Sequence, residues 1–251
     1  MTPTSTPSPA GSITLIGGGP GAWDLITVRG MHRVQAADVI LVDHLGPGAE
    51  LEKLCDLQGK EIIDVSKLPY GKQVAQEKIN ELLVEKARAG LNVARLKGGD
   101  PYVFGRGFEE LQACTAAGLE VEVIPGVTSA ISVPAAAQVP ITQRAVVHCF
   151  TVVSGHIPPG HPKSLIDWKA LAHLGGTISI IMGVKNGPAI AAELIAHGMD
   201  PQTPTAVVEE GTTTKQRSFR GTLATLGEMM KRQEITPPAV IVIGEVAGLG
   251  L

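Results

Sequence analysis

A chain of 251 residues with 44% hydrophobic content can bury one large core or two modest ones. Its net charge of −3 gives no general attraction for nucleic acid, so an anionic ligand must be met by a local basic patch. Cys55, Cys114 and Cys149 lie far apart without CxxC spacing, which argues against a disulfide framework or zinc cluster and for free thiols in a reducing cytoplasm.

The first twelve residues are rich in Pro, Ser and Thr, with no basic start and no apolar run. They are expected to be a disordered tail and not a signal peptide. No apolar stretch approaches the length of a membrane span, so a soluble protein is expected. The aromatic share of 3% leaves Ala, Val, Ile and Leu to build the interior.

Ile13-Thr14-Leu15-Ile16 reads as a buried first strand, followed by Gly17-Gly18-Gly19-Pro20-Gly21. Gly17 to Ala22 fits a G-x-G-x-x-A dinucleotide fingerprint. Pro20-Gly21, however, reads as a turn, and Thr27 is the plausible N-cap of a helix over 28–37. The glycines would then lack the helix N-terminus that a pyrophosphate needs. Asp38 to Val42 is a second strand ended by Asp43-His44-Leu45. A carboxylate there either caps a turn or serves a ligand. Glu61 to Val65 is a third strand, with Ser66-Lys67 after it; a lone lysine in that place is normally solvated. Ile79, Leu82, Leu83 and Ala87 share one face of a helix over 76–89, and Gly90 stops it.

The densest stretch is Arg95 to Glu110, RLKGGDPYVFGRGFEE. A strand reaching Leu96 is broken at Gly98-Gly99-Asp100-Pro101, and a helix begins near Phe108 and closes at Gly118. A strand-loop-helix turn at the carboxyl edge of an α/β sheet is where such folds bind ligands. Gly98 and Gly99 permit close backbone approach, Asp100 can accept hydrogen bonds, and Lys97 and Arg106 can meet anions. The blander reading is a glycine-rich connection with solvated charges. A strand at 119–124 completes a βαβαβ pattern and a mostly parallel five-stranded sheet. In Pro125-Gly126-Val127-Thr128-Ser129-Ala130 the two hydroxyls either meet a ligand or cap the helix that follows.

The second half alternates again: strands at 146–154, 177–181, 205–208 and 239–243, helices at 168–173, 188–197 and 222–232. Met182 follows a strand, where methionine commonly fills a core. The histidines show no paired ligand spacing, so no metal site is expected. Two α/β domains in tandem, 13–131 and 132–251, are the expected organisation.

RLKGGDPYVFGRG-EE closely resembles the second signature of the uroporphyrinogen-III C-methyltransferases, in the tetrapyrrole methylase family. GGGPG-x-x-D-L-I-T is similar to the family's first signature, PGVTSA matches its third, and Pro140-Ile141-Thr142-Gln143-Arg144 resembles its PLTHR. The resemblance runs from about Ile13 to Val246. It departs at Phe108, where a second glycine is usual, at Gln143 for histidine, at His44 for arginine, at Ala22-Trp23 and at 135–138. It implies the tetrapyrrole methylase fold: a parallel N-terminal sheet, a mixed C-terminal sheet and a ligand cleft between the domains.

The implied cofactor is S-adenosylmethionine, leaving as S-adenosylhomocysteine. Its positions here are Pro20, Gly98, Gly99, Asp100, Val103, Thr128, Ser129, Met182, Gly211 and Ala239. Asp43 matches a family proton acceptor and Lys67 a proton donor. Arg106, Arg144 and Lys67, with Arg95 or Lys97, would pin the substrate's carboxylates. The implied reaction methylates C2 and C7 of uroporphyrinogen III, giving precorrin-2 through precorrin-1, for sirohaem or cobalamin synthesis. Electron-rich pyrrole carbons need no enzymic nucleophile, which suits a sequence without a Ser/His/Asp or Cys/His arrangement. A homodimer is the family's usual state. A methylase acting later in corrin synthesis, a nicotinamide oxidoreductase and a non-catalytic paralogue remain the alternatives.

Overall fold

The computed structural model describes residues 11–43, 45–65 and 76–249 of the chain. Lys67 and His44 lie outside the described residues, as does most of the expected tail. Gly11 and Ser12 are held: the Gly11 amide donates to the Ala87 carbonyl at 2.8 Å, and the Ser12 hydroxyl donates to Asn92 at 2.9 Å. The chain divides into two compact units, 1–128 and 129–251.

The first unit holds five parallel strands. They are β1 (Ile13–Gly17), β2 (Val39–Val42), β3 (Glu61–Asp64), β4 (Val93–Lys97) and β5 (Val121–Ile124), in the order β3-β2-β4-β1-β5. Every pairing is parallel. Alternate side chains enter different cores, as the two-residue period of a strand requires. Leu15, Leu41 and Val93 pack with Ile79, Leu83 and Cys114 of α2 (Gln76–Arg88) and α3 (Gly107–Ala116). Ile16, Ile40, Ala94 and Leu96 pack with Val34 of α1 (Val28–Ala36) and with Leu51. Helix α1 starts at the expected cap: the Thr27 hydroxyl accepts from the Gly30 amide at 3.1 Å.

The second unit holds α4 (Ser129–Ala136), β6 (Phe150–Ser154), α5 (Trp168–Leu174), β7 (Thr177–Ile181), α6 (Gly187–Ala196), β8 (Pro204–Glu209), β9 (Arg217–Thr222), α7 (Leu226–Arg232) and β10 (Ala239–Ile243). Its sheet is mixed, in the order β6-β7-β10-β8-β9. β6 runs parallel to β7, while β10 runs antiparallel to both β7 and β8. Ile178, Ile180 and Ile241 face α5, α6 and α7, and Val208, Val240 and Val242 face Ala130 and Val133 of α4.

Three local expectations are corrected. The strand expected to begin at Val146 begins at Phe150, because 143–147 is a tight turn in which the Gln143 carbonyl accepts from Val146 and Val147. Strand β9 was not anticipated: RSFRGT carries one large apolar side chain and occupies a sheet edge, so no hydrophobic alternation marks it. The helix expected at 222–232 is a short 3-10 turn, Leu223–Thr225, followed by α7.

Candidate functional site

The described candidates in the first unit lie at one edge of its sheet, because parallel strands deliver their carboxyl ends to the same side. Pro20 follows β1, Asp43 follows β2, Gly98 to Val103 follow β4, and Thr128 follows β5. Three glycine loops cross there at backbone distance. A Cβ on Gly17 would lie 2.4 Å from the Gly126 Cα, and one on Gly126 would lie 2.1 Å from the Gly99 carbonyl oxygen. No other residue fits such a crossing. The Gly99 amide donates to the Gly19 carbonyl at 2.7 Å, and the Gly19 amide returns the bond at 3.2 Å.

Asp100 fastens this crossing. One carboxylate oxygen accepts from the Tyr102 amide at 2.8 Å and the other from the Gly126 amide at 2.9 Å. The loop after β4 is thereby tied to the loop after β5. Val103 is half-buried, and its amide reaches the Asp100 carbonyl at 3.3 Å. Arg106, at φ 60°, stands before α3 and sends two guanidinium nitrogens to the Glu109 carboxylate at 2.8 and 2.5 Å. That hydrogen bond holds its pKa above the ordinary arginine value.

Beneath the loops lies a buried ion-pair network that the sequence reading missed. Arg95 and Lys97 are 2% and 3% exposed, so they do not present charge to a substrate as expected. The Arg95 Nε donates to Glu110 at 3.2 Å, and its Nη2 donates to the two Asp43 oxygens at 2.9 and 3.1 Å. The Lys97 ammonium donates to both Glu110 oxygens at 2.9 Å, and the Gln76 amide adds a bond at 3.1 Å. Burial on its own pushes the Glu110 carboxyl up, but the Arg95 and Lys97 charges and the bonds from Lys97 and Gln76 prevail and hold it low. Burial, then the neighbouring Arg95, pull Lys97 down against the opposing pull of Glu110 and Asp43. A signal was present: residues 93, 95 and 97 share one strand face, and the inward face at Val93 implies buried partners for both cations.

In the second unit the strand directions gather another group. Ile181 and Glu209 end β7 and β8, while Ala239 begins the antiparallel β10 between them. Ala239 pairs with Glu209, and extending the Ile241–Ile180 register brings Met182 to the same row. Met182 is 49% exposed at φ 54°, so it is not core filler. Glu210 and Thr212 flank Gly211 with φ 50° and 68°. Positive φ in bulky residues costs energy and collects at functional positions. Gly211 is pressed on α4: a Cβ there would lie 2.3 Å from a Val133 methyl. Ser129 opens α4, and Arg144 is exposed in the turn before β6. Glu209 braces the loop before β10 by accepting from the Thr236 amide and hydroxyl at 2.7 and 2.8 Å, and Arg217 pairs with its other oxygen.

Among the described residues no group of three or more His, Cys, Asp or Glu side chains is placed to hold a metal ion, and no helix is long and apolar enough to cross a membrane. Residues 12–227 match the family model described as Tetrapyrrole (Corrin/Porphyrin) Methylases. The chain is 44% identical over 239 residues to the S-adenosyl-L-methionine-dependent uroporphyrinogen III methyltransferase of Methanosarcina barkeri, covering 95% of this chain and 93% of that one. It is also 44% identical to the siroheme synthase of Tolumonas auensis, but spans only 50% of that protein's length. The uroporphyrin-III C-methyltransferase of Thermus thermophilus, solved with S-adenosyl homocysteine, superposes with TM-score 0.79 at 37% identity, over 95% of this chain and 99% of that one. A cobalt precorrin-4 methyltransferase superposes with TM-score 0.83 at 26% identity, over 94% and 95%. The glycine crossing fastened by Asp100 therefore sits in a fold whose family is known: this chain belongs to the tetrapyrrole (corrin/porphyrin) methylases.

Proposed function

We propose that the chain methylates uroporphyrinogen III from S-adenosylmethionine, at C2 and C7, to give precorrin-2. The observation that carries this reading is the joining of three signature loops by Gly17, Gly99, Gly126 and Asp100. The 44% identity to a uroporphyrinogen III methyltransferase over nearly the full length of both chains supports it. The 37% identity to the Thermus thermophilus uroporphyrin-III C-methyltransferase, against 26% to the cobalt precorrin-4 enzyme, favours uroporphyrinogen III over a later corrin intermediate as substrate.

The residues present suit the cofactor. Half-exposed Met182 offers a soft apolar surface for an adenine. Thr128 and Ser129 bring hydroxyls at the junction with α4, and glycines at 98, 99 and 211 keep side chains out of a ligand's way. Pro20, Val103 and Ala239 complete the cofactor set. When bound, S-adenosylmethionine supplies an electrophilic methyl on sulfur. That methyl would pass to an electron-rich pyrrole carbon, with S-adenosylhomocysteine as the leaving group and one ring-system proton to be accepted. Asp43 is the assigned acceptor of that proton, and Lys67 the assigned donor elsewhere in the cycle. Arg106 and Arg144 meet substrate carboxylates, and the protein's contribution is chiefly orientation of the reactants. The family resemblance suits a homodimer, and three cysteines without disulfide spacing suit a reducing cytoplasm.

Calorimetric titration with S-adenosylhomocysteine, with NADH as a control, is the first test. Binding of the nucleoside alone, followed by anaerobic turnover of uroporphyrinogen III, is the expected result. Binding of NADH alone would return the glycine loop to a dinucleotide reading.

A further inference from the structure

The chain has four phenylalanines and two tyrosines, and three of these six rings fall between Tyr102 and Phe108. All three are turned outward: Tyr102 is 50% exposed, Phe104 47% and Phe108 57%. Tyr102 and Phe108 meet edge to face, with centroids 6.1 Å apart and planes at 77°, the geometry that ring quadrupoles favour.

A loose loop does not explain the exposure. The Gly107 amide donates to the Pro101 carbonyl at 2.9 Å, and Asp100 holds the Tyr102 amide. A Cβ on Gly105 or Gly107 would lie 2.8 or 2.6 Å from the Pro101 oxygen, so the turn is wound closely on itself. Phe104 and Arg106 are held at φ 56° and 60°. A bulky aromatic at positive φ is strained, and the surrounding bonds must impose it. The rings are thus presented by a rigid frame.

We propose that Tyr102 and Phe108 form an aromatic wall that receives pyrrole rings of the tetrapyrrole, making Phe108 a specificity-determining residue of this chain. The inference rests on the substrate reading above. Continuity with the candidate site selects this occupant: the Asp100 carboxylate that fastens the glycine crossing also holds the Tyr102 amide, and Arg106, paired with Glu109, stands two residues from Phe108, where a substrate carboxylate would compete with Glu109. Phe108 occupies the point where the family signature has a second glycine. Tyr102 belongs to the motif, so the ring at 108 is what this chain adds to it.

The test is fluorescence titration with uroporphyrin III in the presence of S-adenosylhomocysteine, using Phe108→Ala, Phe108→Tyr and Tyr102→Ala. Position 108 is exposed in the first turn of α3, and alanine favours a helix, so the fold tolerates the change. Phe108→Ala and Tyr102→Ala should each raise the porphyrin Kd about 3- to 12-fold, the range of an aromatic contact of about 0.6–1.5 kcal/mol. Phe108→Tyr should restore it, S-adenosylhomocysteine affinity should not move, and in turnover the loss should appear in KM before kcat. An unchanged porphyrin Kd in Phe108→Ala, with the parent protein binding normally, overturns the wall and leaves the substrate reading standing. A change in oligomeric state at unchanged porphyrin affinity would also overturn it, giving the rings to a second copy of the chain. If the parent protein neither binds uroporphyrin III nor turns over uroporphyrinogen III, both readings fall together.

Discussion

One nitrogen of the Arg95 guanidinium reaches both carboxylate oxygens of Asp43, at 2.9 and 3.1 Å, while the same side chain is anchored from behind by Glu110. The catalytic candidate at the end of β2 is therefore aimed by a cation from β4 that is itself buried. Asp43 thereby takes a part beside the turn cap and the chemical group that the sequence offered: it holds a cross-sheet ion pair.

Replacing Asp43 by asparagine keeps an oxygen acceptor for Arg95 and removes the carboxylate. S-adenosylhomocysteine affinity should stay within about twofold, since no cofactor candidate depends on this group. Turnover should fall about 10²- to 10⁴-fold, the usual worth of a general base. Single-turnover kinetics beside calorimetry separate the two quantities. A full rate in Asp43→Asn would remove the residue from the chemistry and leave it a role in holding Arg95.

Asp100 is expected to matter by a less direct route. Its two oxygens already accept from the Tyr102 and Gly126 amides, so Asp100→Ala leaves both amides without these partners and unfastens two loops. Loss of detectable S-adenosylhomocysteine binding is the expected outcome in calorimetry, with thermal stability reduced by about 1–3 kcal/mol. Asp100→Asn should recover part of both, because its amide oxygen can replace one acceptor. Undiminished cofactor affinity in Asp100→Ala would detach the glycine crossing from the cofactor.

A methyl group added at the crossing is a sharper probe of geometry. Gly126→Ala puts a Cβ 2.1 Å from the Gly99 carbonyl oxygen and 2.5 Å from the Gly17 Cα, and backbone cannot swing aside as a side chain can. The cost should reach or exceed about 3 kcal/mol, the upper end of ordinary overpacking. Gly118→Ala serves as the control, because its Cβ would meet nothing within 4 Å and only its φ of 79° opposes the change. Urea midpoints for the pair would show the difference. A loss in Gly126→Ala no larger than in Gly118→Ala would mean that the crossing yields to admit a Cβ and is not held at backbone distance.

How much of this could be read in advance varies with what each residue touches. The strands were legible because β1 and β2 are apolar runs ended by Gly or Asp, whereas their order was not, since only β2 and β3 are neighbours both in sequence and in the sheet. β9 was not, since an edge strand with polar faces carries no alternation to detect. The glycines of the crossing were legible as a motif, but which glycine touches which is a fact of tertiary contact. Arg95 and Lys97 were misread as surface cations because the partner that buries them, Glu110, comes from the following helix. Of the adjacent Glu109 and Glu110, one forks to an exposed arginine and the other is fully buried. Only the helical phase distinguishes them.

That buried carboxylate yields a pH prediction whose sign is fixed. The folded Glu110 is held below its ordinary value, so the unfolded chain binds its proton first as pH falls. The stability it contributes is complete above the ordinary glutamate value near 4.5 and is lost as pH falls through the lower folded value. Glu110→Gln leaves Arg95 and Lys97 buried without this counter-charge, which should cost about 3–5 kcal/mol at neutral pH. The gap between parent and variant should narrow on acidification. Lys97 acts at the other end. Its folded value is lowered, so the unfolded chain binds the extra proton, and stability rises as pH climbs from that folded value towards 10.5. Removing Glu110 takes away one group that raises Lys97, so in the variant this rise should begin at lower pH. Denaturant unfolding of both proteins across the acid and alkaline ranges measures both limbs. A gap that stayed constant with pH would mean that Glu110 stabilises the fold by packing and not by charge.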